Sequence, residues 1–251
     1  SAQDKLKHGT YGITTYTTIK TKRKEYKVFD AISSTDFCHV YRAQCDDQLA
    51  YFNIACNSLS NDIVANEARI IKHLMEAEDY SKFKSYIPLL TDSFFYMDKS
   101  RQVNVFSASN DGELYSLDEI KNYYHNGVDP KDIAWMFRSL LVCLGFAHDN
   151  GIIHGAILPH HILIQPERHG LIVVEWSYAS LGEPIIAINT NYEKWYPSEI
   201  FEKNKPEPCL DIYMAAKCMD YLLGKHTNKR LSMFFRGCIL ESPRQRPQNA
   251  W

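Results

Sequence analysis

Three stretches of the chain carry side chains that can handle protons or a divalent cation. "HGAILPHHILI" (154–164) opens on His154 and contains the adjacent pair His160 and His161. "LIVVEW" (171–176) is an apolar run that ends at Glu175, 21 residues beyond His154. Glu67 lies inside "SNDIVANEARIIKHLMEAE". A carboxylate at a strand end is a hard oxygen donor, which makes Glu175 a candidate ligand for Mg2+ or Mn2+. Either His160 or His161 can be a metal ligand or a base, or can simply pack. Adjacent side chains tend to point apart, so at most one of the two is expected to face a site. Glu67 admits a structural role, solvated or hydrogen-bonded, and a role as a metal or proton handler.

The elements that must position these groups follow from periodicity. Residues 10–55 hold alternating runs rich in Thr, Tyr, Val and Phe: "TYGITTYTTIKT", "EYKVFDAI", "FCHVYRAQ" and "QLAYFNIA". "SNDIVANEARIIKHLMEAE" then reads as a helix, with Asn61 or Asp62 near its cap and Ile63, Ala68, Ile70, Ile71 and Leu74 on its buried side. Two more strands, "PLLTDSFFYM" and "RQVNVFSAS", complete a small antiparallel sheet with one helix over 10–108. From 116 the chain turns helical. "SLDEIKNYY" opens on a capping box, and "DPKDIAWMFRSLLVCLGFAHDNG" has Asp129 as cap, Pro130 in the first turn and Gly151 at its end. The paired strands "HILIQ" and "LIVVEW" follow, then the helices "YPSEIFEK", "CLDIYMAAKCMDYLLG" and "KRLSMFFRGCIL". Strand-rich then helix-rich order implies a two-lobed α+β body.

In this order the motifs resemble those of protein kinases, over about residues 25–250. "HVYRA" resembles the second kinase strand, Glu67 the helix C glutamate, and His154 the histidine of the His-Arg-Asp-Leu-Lys-Pro-Glu-Asn catalytic loop. "EWS" (175–177) resembles Asp-Phe-Gly and "PSE" (197–199) Ala-Pro-Glu, while Asp211 matches the helix F aspartate and Arg246 in "RQRP" the late arginine. "HGAILPHHILI" with "HGLIVVEWSYA" is similar to kinase-like domains of bacteria and their viruses. The resemblance implies a bilobal protein-kinase-like fold, its N-lobe an antiparallel sheet plus helix C and its C-lobe mainly helical. Residues 1–24 then form a leader and an extra N-terminal hairpin, 25–108 the N-lobe and 109–251 the C-lobe.

Carried across position by position, the resemblance keeps the frame and loses the chemistry of phosphoryl transfer. Ser33, Thr35 and Cys38 replace the three glycines of the phosphate loop, and Asp36 adds negative charge. A polar hairpin turn is expected there, with a hydroxyl-lined anion cradle as the alternative. Asn53 replaces the lysine that would pair with Glu67. Tyr51, on the same strand face, crowds the space of an adenine ring, and Lys27 is the nearby cation that could substitute. Ser33, Thr35, Tyr51 and Leu163 are the positions that would line a nucleotide cleft. Gly155 replaces the arginine that receives an activation-loop phosphate, Ala156 the catalytic aspartate, Leu158 the lysine and His161 the metal-binding asparagine. Glu175 keeps a carboxylate one methylene longer, and Trp176 is expected to pack with His154 and Ile71 as a spine. The architectural residues remain: Glu199 with Arg246 as a buried ion pair, and Asp211 holding the catalytic-loop backbone. Only 35 residues separate Asp211 from Arg246, so the helix G region is trimmed.

The expected function is that of a pseudokinase, a catalytically inactive regulatory or interaction scaffold with weak or no ATP binding. The alternative is an atypical metal-dependent phosphotransferase or nucleotidyl transferase using Glu175 with His161 or Glu67, for which ATP with Mg2+ or Mn2+ would be the cofactor. A nucleotide sensor without turnover is a third reading, against which Tyr51 stands. No cofactor and a protein partner go with the first reading. The aromatic segment "NTNYEKWYP" (189–197) either serves as an interaction surface or packs inward. Net charge is −2, which offers no bulk attraction to nucleic acid or an anionic membrane, so neither is expected as a partner. No apolar stretch reaches a membrane span. The seven cysteines are scattered without a CxxC pair, which suits buried free thiols in a reducing cytoplasm and argues against a zinc site.

Overall fold

Alternating burial along the β-rich half organises a six-stranded antiparallel sheet. The computed structural model describes residues 15–108, 112–202, 204–225 and 228–251. The leader expected at the start of the chain lies, through residue 14, outside the described residues. The described residues form two units, one of 15–68 with 89–108, the other of 69–88 with 112–202, 204–225 and 228–251.

The first unit holds β1 (Thr17–Lys20), β2 (Glu25–Ser34), β3 (Cys38–Cys45) and β4 (Gln48–Ala55), the start of α1 (Asn61–Met75), then β5 (Leu90–Tyr96) and β6 (Arg101–Ser107). The sheet order is β1-β2-β3-β4-β6-β5. One face buries Ile19, Tyr26, Val28, Ala43, Ala50, Phe52, Val103 and Val105. Tyr26 and Phe52 meet edge to face with centroids 5.5 Å apart, and the Tyr26 hydroxyl donates to Asp92 at 2.7 Å. The period of two sends Tyr51 and Asn53 to the opposite face. There a row runs across the sheet, Ser33 opposite Val40, Val40 opposite Asn53, Asn53 opposite Asn104 and Asn104 opposite Ser93, polar except at Val40.

α1 starts at Asn61, where the sequence places that end of the helix, and a short turn precedes it. Asn57 accepts from the Ser60 amide at 3.1 Å and caps a 3-10 turn, Ser58–Ser60, that leads into the helix. Asn61 is drawn away to the β5–β6 turn, accepting from the Gln102 amide at 2.8 Å. Ala68, Ile70, Ile71 and Leu74 are buried as expected; Ile63 is only half-buried, and Val64 next to it is fully buried.

The second unit holds α2 (Tyr80–Phe83), β7 (Tyr115–Ser116), α3 (Leu117–Tyr123), α4 (Pro130–Asp149), β8 (Ile162–Gln165), β9 (Gly170–Val173), α5 (Pro208–Leu223) and α6 (Lys229–Cys238). Ser116 and Glu119 make the capping box of α3, and Asp129 caps α4 through the Lys131 amide at 2.8 Å. α4 packs along α5, and Leu140 and Leu144 of the first and Ile212, Met214 and Ala215 of the second are all buried. β7, β8 and β9 form a small antiparallel sheet. "YPSEIFEK" is not an α-helix but a 3-10 turn, Ser198–Glu202. Pro197 and Pro206 leave little room for α-helical hydrogen bonds, and Glu199 is drawn to Arg246. All seven cysteines are free, and Cys38, Cys143, Cys209, Cys218 and Cys238 are buried.

Candidate functional site

The turn from β2 to β3, where a phosphate loop is expected, closes on itself. The Thr35 amide donates to the Cys38 carbonyl at 2.8 Å, and Thr35 Oγ1 accepts from the Phe37 amide at 3.4 Å and the Cys38 amide at 3.2 Å. Two amides that could have met an anion are taken up by a hydroxyl. Phe37 packs on Cys38, Ala55 and Val64, so the tip is folded onto the first turns of α1. Ser33 and Tyr51 are exposed on their strands.

Asn53 does not stand alone. Asn104 opposite it is fully buried; its Nδ2 donates to the Val64 carbonyl at 2.8 Å and to Glu67 Oε2 at 3.1 Å, and its Oδ1 accepts from Ser93 Oγ at 2.9 Å. A neutral amide therefore holds the Glu67 carboxylate. Lys27 lies with Nζ 5.4 Å from the Tyr16 ring centroid. Asn53 Oδ1 is enclosed without a hydrogen-bond partner among the described residues.

In the second unit, buried Asp211 organises the loop that begins at His154. Its Oδ2 accepts from the His154 amide at 2.8 Å and its Oδ1 from the Gly155 amide at 2.9 Å, while His148 Nε2 lies 2.9 Å from Oδ2. Burial alone would raise this carboxyl; the His148 hydrogen bond, the electrostatic interaction with the His148 and His154 imidazoles and the Gly155 amide outweigh it and hold it below the ordinary carboxylate value. His148 was not among the sequence candidates. Nothing local marks it, because its partner lies 63 residues away.

His154 is fully buried, and burial pushes its imidazole down to about 4 against the opposing pull of Asp211. Its Nδ1 accepts from the Ala156 amide at 3.3 Å, which leaves Nε2 to donate to the Val174 carbonyl at 3.0 Å. The ring meets Trp176 edge on at 4.7 Å, and Trp176 Nε1 donates to Val173 at 2.8 Å. This is a packing pair built around a neutral histidine. Ala156, buried beside it, presents only a methyl group where a base would stand.

The two adjacent histidines do not point apart. Pro159–His161 is a 3-10 turn, in which successive side chains advance by about a third of a turn, and the two rings lie edge to face at 4.0 Å. His161 is buried, with Nδ1 2.7 Å from the Ala156 carbonyl. His160 meets the Tyr192 ring at 4.6 Å. Leu163 is half-buried on β8, opposite Ile172 and Ser116.

Glu175 is half-buried and left-handed, with φ 60° and ψ 47°, and its Oε2 accepts from Ser177 Oγ at 3.3 Å. Left-handed backbone on a side-chain-bearing residue is strained, and such strain collects at functional positions. Gly155 is left-handed too, at φ +72°, and a Cβ there would stand 2.5 Å from Ile185 Cδ1. The segment after Glu175 is packed inward at several points: Ser180 pairs with Ile153, Tyr196 is buried with its hydroxyl accepting from the Asn189 amide at 3.1 Å, and Trp195 meets Tyr221 at 5.3 Å. Arg69 forms an ion pair with Glu183. Glu199 pairs with buried Arg246, whose NH2 also donates to the Glu241 carbonyl at 2.8 Å.

No protein-family model matches the chain. It is 28% identical to casein kinase II subunit alpha' of Saccharomyces cerevisiae over 110 residues, 41% of this chain and 32% of that protein. It is 26% identical to calcium/calmodulin-dependent protein kinase type 1 of Caenorhabditis briggsae over 137 residues, 55% of this chain and 33% of that protein. The matched stretch thus spans about a third of the length of these curated relatives. The solved structure of vaccinia related kinase 3 matches with a TM-score of 0.62 at 16% identity, over 86% of this chain and 70% of that one. That likeness is one of fold.

Proposed function

From its membership of the protein kinase-like superfamily, we propose that this chain is a pseudokinase, a catalytically inactive domain that binds a protein partner as a regulatory scaffold. The observation that carries the proposal is Ala156, buried and hydrogen-bonded through its main chain to His154 and His161 at the position of the kinase base. The residues present do not fit ATP with a divalent cation. The loop amides serve Thr35, the lysine position is Asn53, and Glu67 is held by Asn104. Cytoplasmic location is proposed on the free buried cysteines. Among the described residues, no helix is long and apolar enough to cross a membrane.

The test is to incubate the pure chain with ATP, Mg2+ or Mn2+ and generic protein substrates. The expected result is no phosphate transfer and no rise in melting temperature with ATP. Transfer, or a clear thermal shift with ATP, overturns it. The strained, half-exposed carboxylate at 175 favours one second reading, an atypical metal-dependent transferase. Activity lost in Glu175→Ala would select that reading.

A further inference from the structure

The densest run of charge lies on the β1–β2 hairpin. Lys20, Lys22, Arg23, Lys24 and Lys27 stand within eight residues, with Glu25 the one acid among them, a local +4 on a chain whose total is −2. The average charge hides this patch. All five cations are exposed. They are displayed on ordered backbone: Thr21 Oγ1 accepts from the Arg23 amide at 3.3 Å and the Lys24 amide at 3.0 Å, and the Thr21 amide donates to the Lys24 carbonyl at 2.8 Å. Lys24 also donates to the Thr91 carbonyl at 3.3 Å, and Lys20 pairs with Glu25 at 3.0 Å in a pair too exposed to neutralise much.

Aromatic rings accompany the cations. With Ile19, Tyr26 and Val28 turned into the core, Thr18, Lys20, Glu25 and Lys27 take the outer face. Lys27 leans over Tyr16, which is 51% exposed and meets Phe29 edge on at 6.0 Å. β1 is an edge strand, so lysines there can also serve to discourage strand pairing. That role leaves the rings without a use.

We propose that this hairpin binds single-stranded nucleic acid, independently of the pseudokinase reading. Lys20, Lys22, Arg23 and Lys27 meet successive phosphates, and Tyr16 offers a face on which a base stacks. A bilayer is a poorer match because the turn residues 21–24 carry no apolar side chain to enter it. An acidic peptide would use the cations and leave Tyr16 idle.

The test is fluorescence anisotropy of the full chain with a labelled oligouridylate of about 12 nucleotides, between about 50 and 200 mM salt. Four phosphate contacts give a log–log salt slope of about −3 on a single strand. Lys22→Ala with Arg23→Ala should roughly halve the slope, and Tyr16→Ala should weaken binding about fivefold or more at unchanged slope. Melting curves report that these surface variants remain folded. Absence of binding at low salt overturns the proposal, as does a slope unmoved by the double variant or an affinity unmoved by Tyr16→Ala. Equal competition by an oligoglutamate peptide or by anionic vesicles overturns it as well.

Discussion

Asn104 stands directly opposite Asn53 across β4 and β6, and its amide donates to the Glu67 carboxylate at 3.1 Å. The carboxylate is 6% exposed, so its partner matters. Asn104→Ala should lower stability by about 1–3 kcal/mol, measured by urea unfolding, because the Val64 carbonyl and the buried Glu67 side chain lose their donor. Asn104→Asp should cost more, since it sets a second carboxylate against the first, and adding Glu67→Gln should recover part of the loss. Wild-type stability in Asn104→Asp would mean that the amide does not hold Glu67.

Gly155 and Ile185 are a matched pair. At φ +72° any other residue is strained, and a Cβ at 155 meets Ile185 Cδ1 at 2.5 Å. Gly155→Ala should cost about 1–2 kcal/mol. Ile185→Ala should cost less in that background than alone, because it opens the space the new methyl needs. A double-mutant cycle in urea with no coupling between the two sites would separate them.

Much of this arrangement was legible beforehand, and the limits have physical causes. The strands of the first unit announce themselves by period-two alternation between polar turns, and the Ser116–Glu119 and Asp129 caps by local chemistry. The Glu199–Arg246 pair and the grip of Asp211 on His154 and Gly155 could be expected only through the kinase resemblance. His148 could not, because its place beside Asp211 depends on how α4 and α5 pack. Asn104 did leave a signal, a polar residue between the valines of "RQVNVFS", which a buried strand tolerates only with partners. The closeness of the His160 and His161 rings is not written in their adjacency, because it comes from the 3-10 turn that Pro159 starts.

Glu175 tests whether the surviving carboxylate is used. Its left-handed backbone should make Glu175→Gly more stable than Glu175→Ala by about 1 kcal/mol, since only glycine adopts φ 60° without steric cost. On the pseudokinase reading, Mn2+ should leave the melting temperature of the wild type and both variants alike. A Mn2+ shift present in the wild type and lost in both variants would favour the metal-dependent reading instead.

His154 gives the fold a pH dependence whose sign is set by burial. In the unfolded chain its imidazole takes up a proton near 6.5, and in the folded chain only near about 4. Between those values unfolding binds a proton, so stability is full above about 6.5 and falls as the pH drops toward 4. At 1.36 kcal/mol per unit the loss amounts to about 3 kcal/mol. Burial of the ring is why the folded state resists protonation, and a proton on Nδ1 would in addition stand against the Ala156 amide that now donates to it. His154→Gln should be less stable at pH 7.5, having lost the packing against Trp176, yet flatter with pH across this window. The measurement is urea unfolding of both proteins from pH 7.5 to 4.5, and the difference curve isolates His154 from the neighbouring histidines at 148 and 161. Parallel curves would show that the imidazole is not held neutral by its surroundings.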